Sequence, residues 1–119
     1  MPNPIPLRIA GSGIALPRLR RDNDWFDQRF ARPGGWTARH VGITSRPIAS
    51  EGETSASLAA EAVRQALAAA GWQDDDFEVL ISACGVGQQA LPCTAALIHR
   101  QLGLDHSGIG AFDLNASCL

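Results

Sequence analysis

The sequence predicts an α/β fold built around a mostly parallel sheet. Three short runs, residues 7–14 (LRIAGSGI), 77–83 (FEVLISA) and 109–114 (IGAFDL), have strand length and near-continuous apolar character. Segments with helical spacing separate them, and strands alternating with helices imply right-handed crossovers between parallel strands. Continuous rather than alternating hydrophobicity further predicts strands buried on both faces.

The elements follow in order. Residues 7–14 read as the first strand, ending at Pro17. Residues 18–30 are polar, with Trp25, Phe26 and Phe30 at helical spacing and Asp22 or Asn23 available as a cap. The aromatic trio is expected to pack as core. Residues 32–35 (RPGG) form a turn, and residues 36–48 read as irregular, with Gly42 at a special backbone position. Residues 54–70 give the clearest helix: Leu58, Ala62, Val63, Leu67 and Ala70 make a stripe, and Glu51 and Glu53 lie near its positive end. Gly71 is placed as its C-cap. Pro92 is suited to the first turn of a helix running to about Leu102, where Gly103 ends it.

Composition narrows the function. At 119 residues the chain suits one compact domain, residues 1–119, and 45% apolar with 18% charged residues is a globular balance. Ten arginines and no lysine stand against twelve acidic residues, a net charge of -2, so no basic stripe is available for a nucleic acid partner. The stretch 79–98 is interrupted by Gly85, Gly87 and Pro92, so it is not read as a membrane span. The amino terminus lacks a basic segment followed by an apolar one, which leaves a cytoplasmic protein with reduced thiols as the expectation.

Several side chains have ordinary readings. Asp74, Asp75 and Asp76 are adjacent and cannot converge on one cation, so a solvated turn is expected, and Trp72 reads as a structural anchor. Cys84, Cys93, His99 and His106 lack the close cysteine pairs of a zinc site, and no metal is expected. Cys84 and Cys93 also lack the spacing of a redox pair. Cys118 is different. It follows the last predicted strand, just beyond the carboxyl end, where α/β sheets collect reactive groups. A thiol on a strand-to-helix turn is favoured as thiolate by a following helix dipole and serves as an acyl-accepting nucleophile.

The run 113–118 (DLNASC) resembles the nucleophile segment of the β-ketoacyl-acyl-carrier-protein synthase III family. Residues 8–17 (RIAGSGIALP) resemble that family's first strand and its Gly-x-Gly-x-x-x-Pro continuation. Residues 35–46 (GWTARHVGITSR) are similar to its coenzyme-A segment, and 90–93 (ALPC) to a loop that reaches across a dimer into the acyl pocket. The resemblance implies a thiolase-like fold, of which the chain is the N-terminal portion, incomplete without a C-terminal half. It implies Cys118 as catalytic nucleophile, with Trp36, Arg39 and Leu91 binding substrate. Acyl-coenzyme A is then a substrate rather than a cofactor, and acyl carrier protein a partner. A homodimer, or a companion chain carrying the missing His and Asn, is also implied. Three departures stand out: His40 occupies the place of the family's arginine, with Arg39 beside it; Leu91 replaces a frequent Phe; and Leu119 follows the cysteine. Two alternatives keep open the reaction or the activity: a non-decarboxylating Claisen condensation on the same fold, and a non-catalytic fragment or subunit.

Overall fold

The computed structural model describes residues 5–115. The chain divides into two compact units, Leu16–Glu53 and the segments on either side of it.

The Leu16–Glu53 unit is a two-stranded antiparallel sheet with two short helices. Strand β1 (Leu19–Asp22) pairs with β2 (Ser45–Ile48), Leu19 opposite Ile48 and Asp22 opposite Ser45. Helix α1 (Asn23–Arg29) follows β1 directly, capped by Asp22, whose Oδ1 accepts from the Trp25 amide at 2.9 Å. Helix α2 (Trp36–Val41) lies between left-handed glycines, Gly35 and Gly42. The expectations for this region are corrected in two places. The helix expected after an Asp22 cap is observed as α1, but the residues before it, Leu19–Asp22, form strand β1, and residues 36–48, read as irregular, form α2 and β2. The two strands come from pairing between partners twenty-odd residues apart, which no local pattern announces. The aromatic trio is only partly core. Phe30 is 64% exposed, while Trp25 and Phe26 meet edge to face at 5.0 Å, with Arg21 over Trp25 and Arg46 over Phe26.

The second unit holds the predicted crossover. Helix α3 (Ser55–Ala70) opens with a capping box, Thr54 and Ser57 exchanging side-chain-to-backbone bonds, and closes at left-handed Gly71 as expected. Glu53 lies outside that box and bonds to Ser50 and Arg18 instead of the helix terminus. Strand β3 (Val79–Ser82) pairs in parallel with β4 (Gly110–Asp113), Val79 opposite Gly110 and Ser82 opposite Asp113. Helix α4 (Thr94–Gln101) connects them. It starts two residues after Pro92, with Cys93 rather than a polar residue at its N-cap.

Ala56 and Ala60 of α3 bury against Leu80, Ile98, Leu102 and Leu104, and Val63 packs on this cluster. Alanines at these positions remove side-chain bulk, which lets helix and sheet approach closely. The predicted stripe therefore mixed two faces. Ala56, Ala60, Val63 and Leu67 run along one; Ala62, Ala66 and Ala70 lie along another.

That second face receives the segment predicted as the first strand. Residues 7–14 have no ladder and are not a strand. Instead, Gly11 and Gly13 lie so close to α3 that an added Cβ would sit 2.2 Å from the Ala66 and Ala62 carbonyl oxygens respectively. The Ile14 amide donates to Gln65 Oε1 at 3.1 Å. Here glycine is required by proximity rather than by its dihedral freedom. Burial on both strand faces is also not observed: Leu80 and Ser82 face the core, while Val79, Ile81 and Phe112 remain about half exposed on the opposite side.

These contacts give a paired prediction. Gly13→Ala forces a methyl onto the α3 backbone and destabilises by about 1–3 kcal/mol. Gly34→Ala, at a position with no heavy atom near the added Cβ, stays within about 0.5 kcal/mol of the parent in denaturant unfolding. Equal effects at the two positions would contradict the close approach.

Candidate active site

The carboxyl ends of β3 and β4 and the start of α4 converge in the second unit. The parallel ladder extends past β4 through Leu114, whose amide donates to the Ser82 carbonyl at 2.9 Å. The Asn115 side-chain amide donates to the Gly85 carbonyl at 3.4 Å. The chain therefore leaves the sheet alongside the loop that follows β3.

Asp113 fixes this exit to α4. Its Oδ2 accepts from the Thr94 amide at 2.9 Å and its Oδ1 from the Ala95 amide at 2.6 Å. The first amides of any helix lack intrahelical acceptors, and Cys93 makes no side-chain cap. A strand carboxylate distant in sequence does the capping instead. The Ala95 amide, the largest influence, and then Thr94 and Cys93 hold the Asp113 carboxyl below its ordinary value. Thr94 Oγ1 is itself shared: it lies 3.6 Å from Cys84 Sγ and 3.4 Å from the Gln88 amide. Gln88 in turn accepts from the Ala56 amide at the start of α3. A cavity of about 350 Å³ opens beside these groups, lined by Ala59, Val63, Leu80, Cys84, Thr94 and Ile98 among others.

Cys118 lies outside the described residues. Leu91 stands in the loop before α4 with its side chain 86% exposed, preceding a cis Leu91–Pro92 bond. Trp36 and Arg39 belong to the Leu16–Glu53 unit, on α2. Trp36 is half-buried and already has two ring partners. The His40 imidazole stacks on it at 4.4 Å and 18°, and the Arg32 guanidinium carbon lies 4.8 Å from its centroid. Arg39 Nη2 donates to the Gly34 carbonyl at 3.3 Å. Among the described residues no carboxylate pairs with Arg32 or Arg39; the ion pair found is Arg18–Glu53. Seven of the ten arginines fall in this unit. Five carboxylates fall in it as well, and Arg32 is the arginine seen over the Trp36 ring. Arg32, read from the sequence as part of a turn, is found over the Trp36 ring four residues on.

The described architecture belongs to the thiolase-like α/β class, with a parallel sheet at its core. No family model matches the chain. It is 39% identical over 110 residues to the β-ketoacyl-[acyl-carrier-protein] synthase III of Rhizobium meliloti, covering 92% of this chain and 33% of the relative. Against the Neisseria meningitidis serogroup A synthase III it is 37% identical over 111 residues, covering 93% and 34%. The crystal structure of 3-oxoacyl-[acyl-carrier-protein] synthase III from Aquifex aeolicus superposes with a TM-score of 0.79 at 32% identity, covering 92% of this chain and 34% of that one. Xanthomonas campestris OleA superposes at 0.78 with 20% identity, covering 93% and 34%, a likeness of fold alone. In sequence and fold the chain is similar to these synthase III enzymes, and it spans about a third of the length of the curated relatives it matches.

The carboxylates set the acid response. The Thr37 hydroxyl, first among its causes, lowers Asp27; the Ser50 hydroxyl, first among its causes, lowers Glu53 from 4.5 to about 2. A depressed folded-state pKa contributes stability that is complete above the unfolded value and is lost as pH falls through the folded one. Denaturant midpoints are thus expected to hold, so far as these groups act, above about pH 5 and to decline below about 4.5. Asp113→Asn, which cannot ionise, lowers the neutral-pH midpoint and flattens that decline. A midpoint that rises on acidification would refute the assignment.

Proposed function

We propose that the protein is an acyltransferase of the β-ketoacyl-acyl-carrier-protein synthase III type, with Cys118 as its nucleophile. The observation that carries this reading is the anchored strand exit. Asp113, Leu114 and Asn115 are each tied to α4, β3 or the loop after β3, directly before the cysteine. The likeness to synthase III enzymes over about nine-tenths of the chain supports reading this exit as the approach to a nucleophile.

In the proposed reaction the Cys118 thiolate attacks the thioester carbonyl of an acyl-coenzyme A. A tetrahedral intermediate forms, its oxyanion held by backbone N–H groups, and collapses to expel the coenzyme A thiolate. The acyl group is then a thioester on Cys118. A malonyl group on acyl carrier protein loses carbon dioxide, and the resulting carbanion attacks that thioester, releasing the cysteine thiolate and a β-ketoacyl product. The His and Asn that stabilise this carbanion belong to the part of the synthase that the chain does not span. They come with the rest of the polypeptide or with a companion chain.

Trp36 offers a stacking surface for the adenine, and Arg32 and Arg39 supply cations for the phosphates. The incoming base competes with His40 for the indole. Leu91, exposed and aliphatic, lines the acyl pocket of a partner subunit in a homodimer. The reaction needs no metal or bound cofactor. Among the described residues no helix is long and apolar enough to cross a membrane, and a cytoplasmic setting fits reduced thiols at Cys84 and Cys93.

Intact-mass measurement on the full-length protein tests this directly. Incubation with acyl-coenzyme A adds one acyl mass, located on the Cys118 peptide, and Cys118→Ala abolishes it. An adduct that persists in Cys118→Ala overturns the assignment.

A further inference from the structure

We propose that Asp27 is a positioning residue for the Arg32–Trp36 pair, holding both at once from within α1. The inference rests on the reading of Trp36 as an acyl-coenzyme A contact. Asp27 is 2% exposed, an unusual place for a carboxylate. Its Oδ1 accepts from the Thr37 amide at 3.0 Å and from the Thr37 hydroxyl at 2.6 Å. Thr37 follows Trp36 and is buried, whereas Gly35, the N-cap of α2, has no side chain to cap with. Asp27 therefore closes the first turn of α2 and fixes the backbone beside the indole.

The same residue also acts through its main chain. The Asp27 carbonyl accepts from the Arg32 amide at 2.7 Å, and the Trp36 amide donates to the Pro33 carbonyl at 3.0 Å. Between these anchors Ala31 adopts a left-handed φ of 49°, a conformation that costs a residue with a Cβ and persists only when its surroundings enforce it. Asp27 Oδ2 is buried without a hydrogen-bond partner among the described residues. A buried oxygen left unpaired and a strained alanine both cost stability, against which the carboxylate satisfies the buried Thr37 amide and hydroxyl. The carboxylate fixes the Trp36 end of the loop through Thr37, and the residue-27 main-chain carbonyl fixes its Arg32 end, so that Arg32 is presented over Trp36 at 4.8 Å.

The test uses the full-length protein with acyl-coenzyme A and compares Asp27→Ala, Asp27→Asn, Thr37→Val and Trp36→Ala. The same Asp27 variants are also made in a background with Trp25→Phe and Trp72→Phe, and the dichroism assigned to Trp36 is the difference from that background carrying Trp36→Phe as well. Asp27→Ala raises KM for acyl-coenzyme A on the order of tenfold with kcat within about twofold, and alters the near-ultraviolet dichroism of Trp36. Asp27→Asn, which keeps an acceptor oxygen, restores most of both. Should Asp27→Ala fail to fold, Thr37→Val carries the same two readouts. If Trp36→Ala raises KM while Asp27→Ala and Thr37→Val change only thermal stability, the positioning role is overturned and the reading of Trp36 stands. If Trp36→Ala leaves KM unchanged, the reading of Trp36 itself falls, and this inference with it.

Discussion

The carboxylate of Asp113 joins two elements that sequence separates and chemistry needs together. By accepting the Thr94 and Ala95 amides it satisfies the first turn of α4, which Cys93 leaves uncapped, and it fixes where β4 ends. The β3–β4 ladder, the Leu114–Ser82 bond and the Asn115–Gly85 contact all continue from that point. Without it, the last described residues would leave the sheet with one anchor fewer. The helix dipole supplies part of the attraction, since a negative group beside a helix N-terminus is stabilised there.

Asp27 repeats the device in the other unit. Gly35 cannot cap α2 with a side chain, and a buried carboxylate from α1 does so at Thr37. Helices capped from afar cost more polar burial than helices capped locally, as α3 is by Thr54 and Ser57. In exchange, a distant cap makes helix formation conditional on tertiary structure. One borrowed cap comes from Asp113, five residues before the proposed nucleophile Cys118 in the sequence; the other holds Thr37, the residue after Trp36.

Legibility in the sequence followed the range of the interactions. Helix α3, its Gly71 terminus and strands β3 and β4 were readable because capping residues and apolar spacing are local signals. Residues 7–14 misled because strand-like hydrophobicity does not supply a ladder partner, and here Gly11 and Gly13 serve close packing on α3. Strands β1 and β2 were invisible: four residues such as LRRD or SRPI carry no strand pattern, and their pairing across the unit forms them. For the candidate site, motif resemblance pointed to Trp36, Arg39, Leu91 and Cys118, the last of which lies outside the described residues. It did not find Arg32, Asp27 or the capping role of Asp113, whose partners lie between 4 and 19 residues away. A carboxylate accepting a backbone amide leaves no compositional trace.

Amide hydrogen exchange at the first turn of α4 reports most directly on the Asp113 bridge. In the full-length protein near neutral pH, the Thr94 and Ala95 amides should exchange at least about a hundredfold more slowly than in an unstructured peptide, although a helix's opening amides ordinarily lack protection. Exchange of both at peptide rates, with the rest of α4 protected, would contradict the account.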